Sequence, residues 1–115
     1  MNLWELNNYN FHDSGIIGIT NEENNIKIEI MYCLFMQEDY KEGDPENAKV
    51  ELIFNDVSYF RCDKDRFDND EILSVNINNN NVVFVVEDFN HNIYNIDVTA
   101  DSFDFRIIET IDHID

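Results

Sequence analysis

Apolar residues recur at every second position over most of this chain, the pattern of strands that bury one face. In the first long run, Ile26, Ile28, Ile30, Tyr32, Leu34 and Met36 share one phase, and Lys27, Glu29, Met31, Cys33 and Phe35 share the other. The second phase begins polar and ends apolar, so the far half of this strand is expected to be buried on both faces. A second long strand is expected from residue 48 to about residue 62. Val50, Leu52 and Phe54 lie in one phase there and Val57 and Tyr59 in the other, and the switch predicts a bulge or bend near Asn55 and Asp56. Between the two, residues 37–47 hold the only proline and many charges. They read as an exposed loop turning at Gly43-Asp44-Pro45.

Further on, Leu73, Val75 and Ile77 alternate, four asparagines fill 78–81, and a short apolar run follows at 82–86. Asparagine tolerates left-handed backbone, so this stretch predicts a tight hairpin. Asn90-His91-Asn92 predicts a second turn into Tyr94, Ile96, Val98 and Ala100, and Asp101-Ser102 a third into Phe103, Phe105 and Ile107. With the run at 16–20, about seven strands emerge and no crossover helix is visible, which predicts an antiparallel topology. The expected fold is all-β: one domain over residues 1–115, built as an antiparallel sandwich or partly open barrel. The first ten residues, with Leu3, Trp4, Leu6 and Tyr9, are expected to form a single helical turn or an edge strand covering one end.

Charge changes this picture most. Twenty-five acidic residues face seven basic ones, for a net charge of −18, although 43% of the chain is hydrophobic. A folded core with an acidic skin is implied, because disorder requires low hydrophobicity as well as high charge. Such a skin is repelled by phosphate backbones and anionic lipid heads, so nucleic-acid binding is not expected. The longest apolar run is too short for a membrane helix and the start lacks a basic leader, so neither insertion nor secretion is expected. Cys33 and Cys62 are expected to be reduced thiols in a cytoplasmic protein, facing each other if their strands pair.

Motifs with chemical potential are few. His12-Asp13-Ser14 contains the residue types of a nucleophilic triad, yet neighbours on an extended chain point to alternating sides and cannot meet. The expected role of the segment is a turn, with Asp13 or Ser14 capping it and Phe11 packed beneath, which leaves His12 structural or available to a partner. Alternating carboxylates from Asp63 to Glu71 invite a calcium reading, but the spacing lacks the glycine and the terminal bidentate glutamate of a calcium loop. His12, His91 and His113 are scattered without zinc-ligand spacing. No metal, cofactor or catalytic residue is therefore expected.

Two acidic clusters remain, one at Glu38, Asp39, Glu42, Asp44 and Glu46, the other at Asp63, Asp65, Asp68, Asp70 and Glu71. Their excess over local bases reads either as a solubility device or as steering toward a cationic partner. Trp4 together with residues 10–17, Asn-Phe-His-Asp-Ser-Gly-Ile-Ile, resembles the start of small bacterial immunity-type proteins of polymorphic toxin systems and related His-Asp-Ser domains. The segments 52–57 and 69–72 fit the same pattern. That resemblance implies a small cytosolic, non-enzymatic protein that binds and neutralises a cognate basic toxin. The expected contact residues are Trp4, Tyr9, His12, Asp13, Tyr40, Asp63, Asp65, Asp68, Asp70 and Glu71. Two other classes stay open: a small-ligand or metal-dependent enzyme in which His12 meets carboxylates in an apolar pocket, and a structural subunit that self-associates through strand edges.

Overall fold

Alternation along the chain produces eight strands that lie in one antiparallel sheet: β1 (Gly15–Glu22), β2 (Asn25–Cys33), β3 (Asn47–Asn55), β4 (Tyr59–Cys62), β5 (Asp70–Asn78), β6 (Asn81–Glu87), β7 (Ile93–Thr99) and β8 (Ser102–Ile111). The computed structural model describes residues 1–111, so His113 lies outside the described residues. Across the sheet the order is β4-β7-β6-β5-β1-β2-β3-β8. The expected all-β antiparallel architecture is what the chain forms.

One joint in this sheet differs from the rest. β1 and β5 share only two residue pairs, Gly15 with Glu71 and Ile16 with Asp70, plus a hydrogen bond from the Ile72 N–H to the Ser14 carbonyl at 2.8 Å. Here the sheet folds over, and its inner faces meet: the ring of Phe54 on β3 lies 6.3 Å from that of Phe84 on β6. Ile16, Ile28, Ile30, Leu52, Phe84 and Phe103 are fully buried between the two halves. Gly15 is what permits the joint, since a Cβ there would stand 2.8 Å from the Asn69 carbonyl oxygen and collide with the Asn69 side chain.

The phase switch near Asn55 and Asp56 proves to be the end of a strand. Asp56 adopts a left-handed backbone with φ 52°, and the chain crosses to the opposite margin of the sheet, where β4 pairs with β7. Hydrogen bonds from the Val57 N–H to the Asn24 carbonyl and from the Ser58 N–H to the Thr99 carbonyl carry it across. This break supplies the strand beyond the seven expected. It also separates the cysteines: Cys33 on β2 and Cys62 on β4 are both free and sit in different halves of the sheet.

The first long strand also stops early. After Cys33 a 3₁₀ turn over Leu34–Met36 carries the chain off the sheet, so Phe35 is exposed and Met31 and Cys33 only half-buried, against the expectation of burial on both faces. A bulge between Ile72 and Ser74 on β5 gives the core position to Ile72 and turns Leu73 outward, while Val75 and Ile77 pack on the core as expected. The asparagine hairpin forms with Asn79 in left-handed geometry, and His91 does the same in the next turn. Residues Leu3–Asn8 form a 3₁₀ helix, held at its start by the Asn2 N–H donating to Glu5 Oε2 at 2.9 Å, and Leu3 and Leu6 bury against the core. No described helix is long and apolar enough to cross a membrane.

If the joint depends on Gly15, then Gly15→Ala destabilises by about 1–3 kcal/mol, the usual cost of overpacking. Gly18→Ala, whose added methyl meets nothing closer than 3.8 Å, leaves stability almost unchanged. Urea denaturation of the two variants measures the contrast.

Candidate functional site

Strand register brings the acidic clusters together. Gly15, Cys33, Asn47, Cys62, Asp70, Glu87 and Ile93 all stand at one end of the sheet, because each begins or ends a strand whose register aligns it there. The loop of Glu38, Asp39, Glu42, Asp44 and Glu46, the loop of Asp63, Asp65 and Asp68, and the turn following Glu87 therefore emerge from the same end. Among the described residues, the bases emerging from these loops are Lys41, Lys64 and Arg66.

Lys64 is consumed internally. Asp70 on β5, Asp88 beyond β6 and Tyr94 on β7 point to the inner side of the sheet, and the Lys64 ammonium inserts among them. It donates to Asp88 Oδ2 at 3.0 Å and to Asp70 Oδ2 at 3.2 Å, and it stands 5.1 Å from the centre of the Tyr94 ring. The Tyr94 hydroxyl donates to the same Asp70 oxygen at 2.7 Å, and the Asp68 N–H donates to the other at 3.3 Å. Asp88 Oδ1 accepts from the N–H groups of Asn90 and Asn92 at 2.9 and 3.0 Å, which fixes the turn. The network thus ties the 63–69 loop and the 88–92 turn to the seam, through Asp70, whose neighbour across the joint is Ile16.

Ionisation follows from these contacts. The Asn92 N–H holds the Asp88 carboxyl below its ordinary value, with the bond from Lys64 adding to the effect against the opposing influence of burial. Burial pulls Lys64 down, but its bonds to Asp88 and Asp70 outweigh this and leave the ammonium raised. Burial first, and donation to Asp70 second, push the Tyr94 phenol up. Burial likewise raises the Cys62 thiol, which keeps it in its less reactive form.

The expected contact residues differ in their exposure. Asp63, Asp65, Asp68 and Glu71 are exposed at the acidic end. Tyr40 braces the other acidic loop, its hydroxyl donating to the Asp44 carbonyl at 3.0 Å and its ring set edge-on to Phe35. Asp70, by contrast, is only 2% exposed and fully engaged, so it is held within the network and not presented at the surface as a contact residue would be. Tyr9 is half-buried, stacked on Phe105 with ring centres 4.3 Å apart and edge-on to Tyr32. Trp4 is 60% exposed on the outer side of the 3₁₀ helix.

His12, Asp13 and Ser14 form the expected turn. The Ser14 N–H donates to the Phe11 carbonyl at 3.0 Å, Asp13 is left-handed with φ 61°, and Phe11 is buried. Ser14 is fully buried and its Oγ accepts the Cys33 N–H at 2.9 Å, while His12 and Asp13 are exposed and 3.7 Å apart. A depression of about 340 Å³ beside the turn is lined by Leu6, Tyr9, Phe11, His12 and residues 72–75, none of them a carboxylate. Among the described residues no group of three or more His, Cys, Asp or Glu converges in a way that would hold a metal ion.

Sequence reasoning did not find Lys64, Asp88 and Tyr94, nor the exposed apolar pair beside them, Phe89 (73% exposed) and Ile93. Alternation marked Tyr94 only as a core position. The convergence depends on β4 lying beside β7, which no local signal announces. No protein-family model, curated protein or solved structure matches the chain.

The pKa directions set the limits of stability. Asp88, depressed, contributes stability above its ordinary 3.8 that is lost as pH falls through its lower folded value. Lys64 and Tyr94, both raised, contribute stability present below 10.5 and 10.0 respectively, and lost as pH rises beyond those values. Melting temperature should fall at both extremes, and an ultraviolet titration should show Tyr94 ionising only as the chain unfolds. Lys64→Met should lower the melting temperature more than Lys27→Met, since it alone strands two carboxylates turned into the core. Ser14→Ala should cost about 1–3 kcal/mol by orphaning the Cys33 N–H; His12→Ala should cost almost nothing.

Proposed function

We propose that this chain is a non-enzymatic binding protein whose acidic end receives a basic protein partner. One contrast supports the reading above all others. Two pairs of glutamates face each other directly across neighbouring strands, Glu29 with Glu51 and Glu71 with Glu87. Like charges in that position repel. The first pair is braced by three bases: Lys27 lies 3.4 Å from Glu51, Lys49 3.8 Å from Glu29, and Arg106 3.8 Å from Glu51. The second has only His91, 3.8 Å from Glu87, as a described partner. A protein with seven bases spends three on one pair and leaves the other without a Lys or Arg partner among the described residues, at the end where Asp65 and Asp68 add to the field.

A partner's lysines or arginines would complete this surface. Phe89 and Ile93, exposed beside the uncompensated glutamates, offer apolar contact within an acidic rim, the arrangement in which aromatic anchors give affinity and charges give rate and orientation. Trp4 and Tyr40 offer further aromatic surface. The turn at His12 and Asp13 serves the scaffold first, through Ser14. Resemblance to immunity-type proteins gives the specific version: a cytosolic inhibitor that binds and blocks a basic toxin domain, with no cofactor.

Replacing either member of the uncompensated pair provides the test. Glu71→Gln and Glu87→Gln should each stabilise the fold by a few tenths of a kcal/mol, up to about 1 kcal/mol, while weakening association with the product of the adjacent gene, measured by surface plasmon resonance. Association should slow as salt is added. Variants that gain stability and bind as fast as the parent would overturn the proposal, as would failure of that neighbouring product to bind at all.

A further inference from the structure

The two margins of the sheet are built differently. β4 is four residues long and ends in a charged pair, Arg61 with Asp63 at 3.3 Å. β8 is ten residues long, contains no proline, and turns one edge away from β3. Only the start of that edge is covered: the Phe103 N–H donates to the Met1 carbonyl, and the Met1 ammonium donates to the Phe103 carbonyl, both at 2.9 Å. Beyond Phe103 nothing among the described residues pairs with it. Ile107 and Ile108 stand there 52% and 47% exposed. A bulge usually shields an edge, but the bulge here, between the partners of Lys49 and Val50, adds Ile108 to an already exposed Ile107.

We infer that the free edge of β8 pairs antiparallel with β8 of a second copy, forming a two-fold dimer. The order of residues is self-complementary. Setting Arg106 against Glu109 of the second copy sets Ile107 against Ile108, and the two-fold axis repeats both pairs. Arg106 faces Glu51 and Glu109 faces Lys49 across β3, so both side chains lie on the outer face and can meet there. Ile107, opposite Val50, lies on the inner face, and Ile108, the bulge residue that has no partner on β3, would meet the second copy's Ile107 across the axis. The contact is isologous, so it closes with two copies and consumes both β8 edges.

Net charge gives this dimer a recognisable signature. Two chains of −18 each repel at long range, and salt screens that repulsion. Self-association should therefore tighten as NaCl is added, the opposite of the response expected for a basic partner at the acidic end. The two proposals can fail separately.

Sedimentation velocity over a range of protein and salt concentrations tests the inference. The expected result is monomer at low salt and a concentration-dependent dimer at physiological salt and above. Arg106→Glu and Glu109→Arg should each raise the dimer dissociation constant about tenfold, because each places two like-charged pairs across the axis. The double variant should restore association toward that of the parent. These single changes shift net charge in opposite directions, so opposite effects on dimerisation would overturn the inference in favour of bulk repulsion. Monomer mass at every concentration and salt, or assembly that grows past the dimer, would overturn it as well. Melting curves of each variant establish that the monomer is folded, and the parent chain's own salt response decides the matter without any variant.

Discussion

Everything in this molecule turns on a seam two residue pairs wide. An eight-stranded antiparallel sheet with one apolar face must cover that face, and this chain does so by folding the sheet at the β1–β5 joint. A long β1–β5 ladder would hold the strands side by side and resist the fold. A missing one would leave two sheets to find each other by packing alone. Gly15 lets the Asn69 backbone close in, Ser14 supplies a buried carbonyl for Ile72 and a buried hydroxyl for Cys33, and Asp70 stands beside Ile16. The turn at residues 11–14 belongs to this seam, which explains why a histidine, an aspartate and a serine sit in sequence with no catalytic geometry among them.

Asp70 extends the influence of the seam to the surface. A carboxylate on the inner face of a strand is costly unless fully hydrogen-bonded, and this one is satisfied by Lys64, Tyr94 and the Asp68 backbone. Lys64 also reaches Asp88, so the 63–69 loop and the 88–92 turn take their positions from the polar group that closes the core. Core and surface are coupled there through a single ammonium. Its loss would both loosen the loops and strand two inward-facing carboxylates. The rest of the acidic end carries an excess of negative charge that Lys41, Arg61, Arg66 and His91 offset only in part.

How much of this was legible beforehand depended on range. Local rules found the strands, because alternation is written residue by residue, and they found the turns at Asn79 and His91, because asparagine and its neighbours tolerate left-handed backbone. They also read the 11–14 turn correctly. They failed at residues 55–58, where a phase switch fits a bulge and a strand break equally well, and only the breadth of the sheet separates the two. Misreading that point concealed the crossing of β4 to β7, and with it the meeting of Lys64, Asp88 and Tyr94. It likewise assigned Asp70 to the surface, since charge does not tell a local reader whether a side chain has an internal partner. The clusters of acids were visible as sequence. Their placement at one end was a property of register.

Net charge finally has to be reconciled with an exposed apolar edge. A long strand margin bearing two isoleucines is an aggregation hazard in most proteins, and solubility alone would be served by placing a lysine on it. This chain leaves the edge open and instead carries a repulsive field over its whole surface. Long-range repulsion acts on every encounter between copies, yet it falls steeply with screening, so at physiological salt it discriminates little against a contact that is locally complementary. A charge-matched, two-fold register passes such a filter. Unmatched edges, including the short β4 margin with its Arg61 and Asp63, do not offer the same compensation. If the two proposed contacts form, between copies at β8 and with a basic partner at the acidic end, the same acidic skin would decide by screening and local charge match which of them is admitted.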